Sequence, residues 1–319
     1  MTMKYQKNIK RLEQLISEHA FIIPIANHRN SDGTVNVNQF KANWEERMEG
    51  FEKIKLWEQT PGFDDRDALQ KEPYLVFIPA QEKQRGTILV AHGGGFSIRT
   101  GCEGPNVALY FQKLGYNTAI LTYRLYPYTR MDCIADMQRA IRVLRAHKEA
   151  LEINGKVTVM GFSAGGMLSA NCATHFDFGN PESEDIIERE SCRPDGVVVG
   201  YGALTGVSFP LPFGVKEDFE GDMYGRTLQE RIYLAPEKNI QYNTPPFFIW
   251  QTLSDDGRYG INLAKELSDA RIPYELHIFE GGVHGLGMAD GENDLEMHVP
   301  HITHWGTLCD EWMQMHELQ

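Results

Sequence analysis

The stretch KVTVMGFSAGG, residues 156–166, constrains this chain more than any other. Val157, Thr158 and Val159 stand in a row, so residues 156–160 read as a buried strand. Residues 164–175, rich in Ala, Met and Leu, read as a helix. Only Phe162 separates Gly161 from Ser163, so the reversal is very tight and puts the serine in a strained backbone region at its apex. Gly161 and Gly165 remove the side chains that would clash there. A strand-to-helix corner of the form G-x-S-x-G is the nucleophile elbow. A serine hydroxyl is a weak nucleophile unless a base accepts its proton and a third group orients that base.

The chain carries candidates for each part. His284 lies in EGGVHGLG, directly after the expected strand YELHIFE, and the glycines around it let an imidazole project over a sheet. Asp255 lies in WQTLSDDG, directly after FFIW. The chain order Ser163, Asp255, His284 is the order that the α/β-hydrolase fold imposes. All three follow expected strands, and in open α/β sheets ligands bind outside the carboxyl ends of the strands. A fourth motif, AHGGGF at residues 91–96, exposes backbone N–H groups to a small space. With the N–H of Ala164 at the start of the elbow helix, such groups can hold the oxyanion of a tetrahedral intermediate. No G-K-[ST] follows the glycines, so they are not a phosphate loop.

From Tyr74 the pattern alternates. Strands are expected at YLVFIPA, TILVAHGGG, TAILTYRL, DGVVVGYGA, PPFFIWQTL and YELHIFE, in addition to the elbow strand. Helices are expected at NVALYFQKLG, residues 131–149, GINLAKELSDA and residues 299–316. Strands alternating with helices mean a mostly parallel central sheet with helices on both faces. Alternation fails between 204 and 244, a Pro- and aromatic-containing excursion over the sheet. Ahead of this body, residues 4–20 and 40–57 have helical spacing, with Phe40, Trp44, Met48 and Phe51 on one stripe weakened by Gly50. The expected organisation is an N-terminal helical arm over 1–70, a candidate cap, and a catalytic domain over 71–319. The apolar stripes of the arm need a surface, and the rim above the carboxyl ends of the strands is the one left open by the body's own helices. An arm that packs on the far side or against a second subunit is the rival.

A formal net charge of −13 argues against nucleic acid as a partner, because a phosphate backbone would be repelled. No apolar run approaches the ~18–20 residues of a membrane span, and the first thirty residues lack a signal-peptide pattern. The five cysteines form no C-x-x-C pair, which fits reduced thiols and a cytoplasmic location. His298, His301 and His304 stand three apart, but with no carboxylate or thiol in register they read as a solvated or packed face, and no metal or cofactor is expected.

Taken together, HGGGF, YRLYP, GFSAGG, TPPFFIWQTLSDD and HIFEGGVHGLG resemble the α/β-hydrolase esterases of the hormone-sensitive-lipase and acetylxylan-esterase type. CEGPNVA and DMQRAIRVLR resemble the bacterial acetylxylan-esterase-like branch, and the likeness runs from about Tyr74 to Trp312. It implies a carboxylic-ester hydrolase without a cofactor, acting on short acyl groups such as acetyl, with a sugar as a candidate alcohol. By position, Gly94, Gly95 and Ala164 match the oxyanion donors. The chain departs from the branch at the acid loop. Gln251 stands where the branch has His, and GRYGIN replaces the usual Val-Pro pair. Asp255 is the candidate acid by its offset from the strand, with Asp256, Glu280 and Asp290 as alternatives. Tyr123, Arg124 and Pro127 read as a structural corner, and Cys102 lies close enough in sequence to the glycine loop to approach the site. A serine peptidase and a non-catalytic ligand-binding homologue share the motifs and remain as alternatives. The partner implied is a small-molecule ester, with room for a homo-oligomer.

Overall fold

Strands such as TILVA and GVVVG carry apolar residues at successive positions, and such a strand is stable only where both faces are covered. The structure, a computed structural model, describes residues 47–63, 72–82, 84–209, 223–291 and 297–319, and there this expectation is met. Eight strands form one sheet: β1 Glu52–Lys55, β2 Tyr74–Ile78, β3 Thr87–Ala91, β4 Asn117–Leu121, β5 Val157–Phe162, β6 Gly196–Gly200, β7 Phe247–Thr252 and β8 Tyr274–Phe279. Their order is β1-β2-β4-β3-β5-β6-β7-β8. β2 is antiparallel to both its neighbours, and every other pair is parallel.

Among the described residues the α-helices that connect or follow the strands are α1 Pro105–Lys113, α2 Arg130–Ala146, α3 Ala164–Thr174, α4 Leu228–Leu234, α5 Arg258–Asp269 and α6 Pro300–Met315. Successive strand residues point to opposite faces, and the core divides accordingly. Leu89, Val157, Val159, Val197, Val199, Phe247 and Ile249 meet apolar residues of α2, α3 and α5. Ile88, Val90, Met160, Phe162, Val198, Phe248 and Trp250 meet those of α1 and α6. Trp250 stacks on Trp305 of α6 with ring centroids 5.1 Å apart.

The chain leaves β3 toward β4 on one side and returns to β5 on the other, so the sheet's switch point lies between β3 and β5. Ala91 pairs with Gly161 across that junction. The glycine loop and the elbow therefore emerge side by side at the carboxyl ends of two paired strands.

Two expectations need correction. The helical spacing over 40–57 does not continue to Trp57: Glu52–Lys55 is the edge strand β1, antiparallel to β2. Gly50 breaks the run at φ +84. Met48 and Phe51 then pack against the α1/α6 face, while Ile54, Leu56 and Trp57 pack against the other, a division that one helical stripe cannot make. The charged residues Glu52, Lys53 and Lys55 suit an exposed edge, where they discourage pairing with another chain. Residues 4–20 and the earlier part of the second stretch lie outside the described residues. The 204–244 excursion also contains the unexpected short helix α4, started by a capping box between Thr227 and Glu230.

Candidate active site

The elbow is as tight as its spacing requires. Ser163 sits at φ 53°, ψ −119°, between the last residue of β5 and the first of α3. Such a conformation costs a non-glycine residue roughly 1–3 kcal/mol and persists only where the surroundings enforce it. Here the Ser163 N–H donates to Gly200 O at 2.9 Å. A methyl group on Gly161 would overlap the Gly165 carbonyl, and one on Gly165 would overlap the carbonyls of Ala91 and His92. Helix α3 folds back on β5 because Gly161 is glycine, and it approaches the end of β3 because Gly165 is.

His284 lies five residues past the end of β8, and its Nε2 is 2.8 Å from Ser163 Oγ. Its Nδ1 is 2.5 Å from Asp255 Oδ1, three residues past the end of β7. Thr252 Oγ1 donates to the second oxygen, Asp255 Oδ2, at 3.0 Å. Ser254 Oγ ties this loop to the histidine loop by donating to Gly282 O at 3.2 Å. The three groups form a continuous relay, and the Asp255 and His284 side chains are only 7% and 11% exposed. Asp256, the adjacent candidate, turns away at φ 58° and pairs instead with Arg258 at 2.5 Å. Burial opposes the charged imidazole. The Asp255 charge and hydrogen bond, with the Glu103 charge behind them, outweigh it and hold His284 above its ordinary value.

The glycine loop is braced on several sides. His92 is fully buried, and burial together with Arg99 pulls it down to about 3, so the ring is neutral. Its Nδ1 lies 2.6 Å from Gly93 O, which accepts the proton of that tautomer. The ring stacks on Tyr123 at 4.2 Å, and the Tyr123 hydroxyl donates to His92 O at 2.7 Å. The Tyr126 N–H donates to Phe96 O at 2.6 Å. Arg124 fastens the same corner to α2 through Asp136, donating from Nε and Nη2 at 2.9 Å each. This is the structural role expected of the YRLYP segment. Gly94 at φ 104 and Gly95 at φ 57 hold a conformation that favours glycine, in the loop that leaves β3 where Ala91 pairs with Gly161. The Ala164 N–H opens α3, where the first amides have no acceptor within the helix.

Other expectations resolve more simply. All five cysteines are free and buried. Cys102 Sγ reaches Gly285 O at 3.7 Å, one residue past His284, so it packs under the histidine loop. On α6, the His301 ring meets Phe279 edge-on at 5.5 Å, and among the described residues no His/Cys/Asp/Glu group is arranged to hold a metal. No described helix is long and apolar enough to cross a membrane. His92 and Tyr201 were not singled out by sequence, although His92 opens the HGGGF motif and signals its place in the loop.

Sheet order, helix placement and the elbow together define an α/β-hydrolase fold with a Ser–His–Asp constellation at the carboxyl ends of its strands. A profile of the BD-FAE family matches residues 75–257, and the chain belongs to that family. It is 32% identical over 230 residues to endo-1,4-beta-xylanase B of Butyrivibrio fibrisolvens, covering 68% of this chain and 35% of that protein. It is 31% identical over 106 residues to an acetylxylan esterase of Xylanibacter ruminicola, covering 33% of this chain and 22% of that one. The chain thus spans only about a third of the first curated relative and under a quarter of the second. A solved acetyl ester-xyloside bifunctional hydrolase from Caldicellulosiruptor lactoaceticus superposes with a TM-score of 0.73 at 33% identity, covering 83% of this chain and 96% of that one.

Proposed function

We propose that the protein is a serine carboxylesterase that removes short acyl groups, acetyl foremost, from esterified sugars. The observation that carries this reading is the unbroken relay from Ser163 Oγ through His284 to Asp255. Ser163 attacks the ester carbonyl as His284 Nε2 takes its proton. Asp255 holds the imidazole in the tautomer that leaves Nε2 free to accept, and stabilises the imidazolium that forms. The N–H groups of Gly94, Gly95 and Ala164 receive the oxyanion, each such donor lowering the barrier by ~2.7–4 kcal/mol. His284 returns the proton to the leaving alcohol, and a water activated by the same imidazole then frees the acid from the acyl-serine.

Acetylated sugars are the favoured substrate class because the acetylxylan esterase and the acetyl ester-xyloside hydrolase are both similar to this chain. Cleavage of glycosidic bonds is not part of the proposal. That chemistry takes two carboxyl groups flanking the scissile bond, and Asp255 is engaged by His284 instead. Five free, buried thiols support a reducing, cytoplasmic setting for the same reading. The test is a panel of acetylated xylo-oligosaccharides, 4-nitrophenyl esters of graded length and peptide anilides. Release of acetate from the sugars and of nitrophenol from the shortest ester, with no anilide cleavage, is expected. Cleavage of the anilides at comparable kcat/KM, or none of the esters, refutes it.

A further inference from the structure

A glutamate is buried beneath the site, adding its charge to the field at His284 without being a member of the relay. Glu103 is 2% exposed on the segment between the glycine loop and α1. Its Oε2 accepts from Thr100 Oγ1 at 2.5 Å, and its charge lies near enough to the Tyr201 hydroxyl that, after burial, it helps hold that hydroxyl well above its usual value. The Tyr201 oxygen in turn accepts the Gly287 N–H at 2.9 Å, three residues past His284. The Tyr201 ring meets the His284 imidazole with centroids 5.1 Å apart. On its other side the carboxylate lies against the glycine loop: a methyl group on Gly93 would overlap Glu103 Oε2. The segment also touches the histidine loop directly, since a methyl group on Gly287 would crowd Cys102 O. Tyr201 itself is held at φ +35, a backbone state that a tyrosine keeps only where its surroundings enforce it. A carboxylate out of water is costly unless its oxygens are engaged, and an apolar side chain would fill the same space more cheaply.

We propose that Glu103 is a positioning residue for ester hydrolysis, clamping the glycine loop at Gly93 to the histidine loop through Tyr201 and Gly287. The clamp keeps the oxyanion donors and the base in one register, although Glu103 touches neither the substrate nor the reacting atoms. It acts on the transition state rather than on substrate binding, because both loops matter most when the tetrahedral oxyanion and the imidazolium coexist.

The inference rests on the esterase reading, so wild type and Ser163→Ala are compared first on 4-nitrophenyl acetate. An inactive wild type sinks both ideas; an active wild type with an inactive Ser163→Ala isolates the clamp for its own test. Glu103→Ala, Glu103→Gln, Tyr201→Phe and the Glu103→Ala/Tyr201→Phe double variant are then assayed at equal folded fraction by circular dichroism. Glu103→Ala and Tyr201→Phe should each lower kcat on the order of 10- to 100-fold with KM within about threefold. Glu103→Gln keeps the side chain's shape and an acceptor oxygen for Thr100 and should recover most of that loss. The double variant should be no slower than the slower single variant, as expected of one coupled unit. A folded Glu103→Ala with kcat within about twofold of wild type, or losses that multiply in the double variant, overturns the proposal. Should Glu103→Ala fail to fold, Tyr201→Phe decides: unchanged kcat there overturns the clamp.

Discussion

Replacing Asp255 by Asn changes one atom type and removes one charge. The carboxylate lies 2.5 Å from His284 Nδ1, and both side chains are nearly buried. With charge centres about 4 Å apart and an effective dielectric of about 20, the pair is worth about 4 kcal/mol once the imidazolium forms. At about 1.4 kcal/mol per decade, losing it slows the reaction about 10³-fold. The amide adds a second effect. Its NH₂ can donate to Nδ1, which favours the tautomer with the proton on Nε2, facing Ser163 with a donor instead of a lone pair; a loss approaching ~10⁴ in kcat follows. The pH profile carries an independent sign. His284 must be neutral to accept a proton, and it is held above its ordinary value chiefly by Asp255 acting against burial. The acid limb of kcat/KM in the wild type should therefore lie above the usual histidine range of about 6.5. In Asp255→Asn, burial remains without its counterweight and the limb should move down. Asp256→Asn loses only an exposed pair with Arg258 and should stay within about threefold. The assay is initial-rate hydrolysis of 4-nitrophenyl acetate across pH. A larger loss at Asp256 than at Asp255, or a limb that moves up in Asp255→Asn, would refute the reasoning.

Three further outcomes are expected. Gly165→Ala should fold poorly or lose more than about 10²-fold in kcat/KM, because the new methyl overlaps the Ala91 carbonyl and drives the elbow helix from β3; a well-folded, fully active variant contradicts the packing described. Asp136→Ala leaves the Arg124 guanidinium, 1% exposed, with only the longer 3.4 Å ion pair to Asp132 and should cost about 3 kcal/mol, read as a lower urea midpoint at unchanged slope; a loss under about 1 kcal/mol contradicts it. Residues 1–46 precede Arg47, whose guanidinium contacts Asn106 in the first turn of α1. Their removal, which spares Met48 and β1, should extend activity along an acyl series from acetate toward decanoate, and an unchanged profile in a folded monomer defeats the cap idea.

Much of the site was legible because its parts are local. An elbow is written in five residues, the glycine loop in six, the acid follows a fully buried strand, and the base follows the alternating run YELHIFE of the edge strand β8. What failed depended on neighbours distant in sequence. The stripe through Met48 and Phe51 satisfies helical spacing, yet the same residues serve a chain that turns at Gly50 and pairs with β2. Pairing of that kind leaves no period in a four-residue strand. The capping box at Thr227 and Glu230 marks the start of α4, but the prolines and aromatics around it have the composition of irregular structure. Glu103 could be quoted only as part of CEGPNVA. Its meaning arises from Tyr201 and Gly287, far along the chain, which the fold alone brings to it. Asp255 and Asp256 differ only in the φ/ψ of adjacent residues, so sequence could rank them by offset, while backbone direction separates them.

The central claim is that Ser163 carries the acyl group. The direct measurement is rapid acid quenching during turnover of 4-nitrophenyl acetate, followed by mass spectrometry of the peptide that contains Ser163. The account predicts acetyl on Ser163, a nitrophenol burst matching the enzyme present, and neither in Ser163→Ala, whose turnover falls by ~10⁶. Acetyl found on another residue, or more than a few per cent of wild-type turnover in uncontaminated Ser163→Ala, would contradict it.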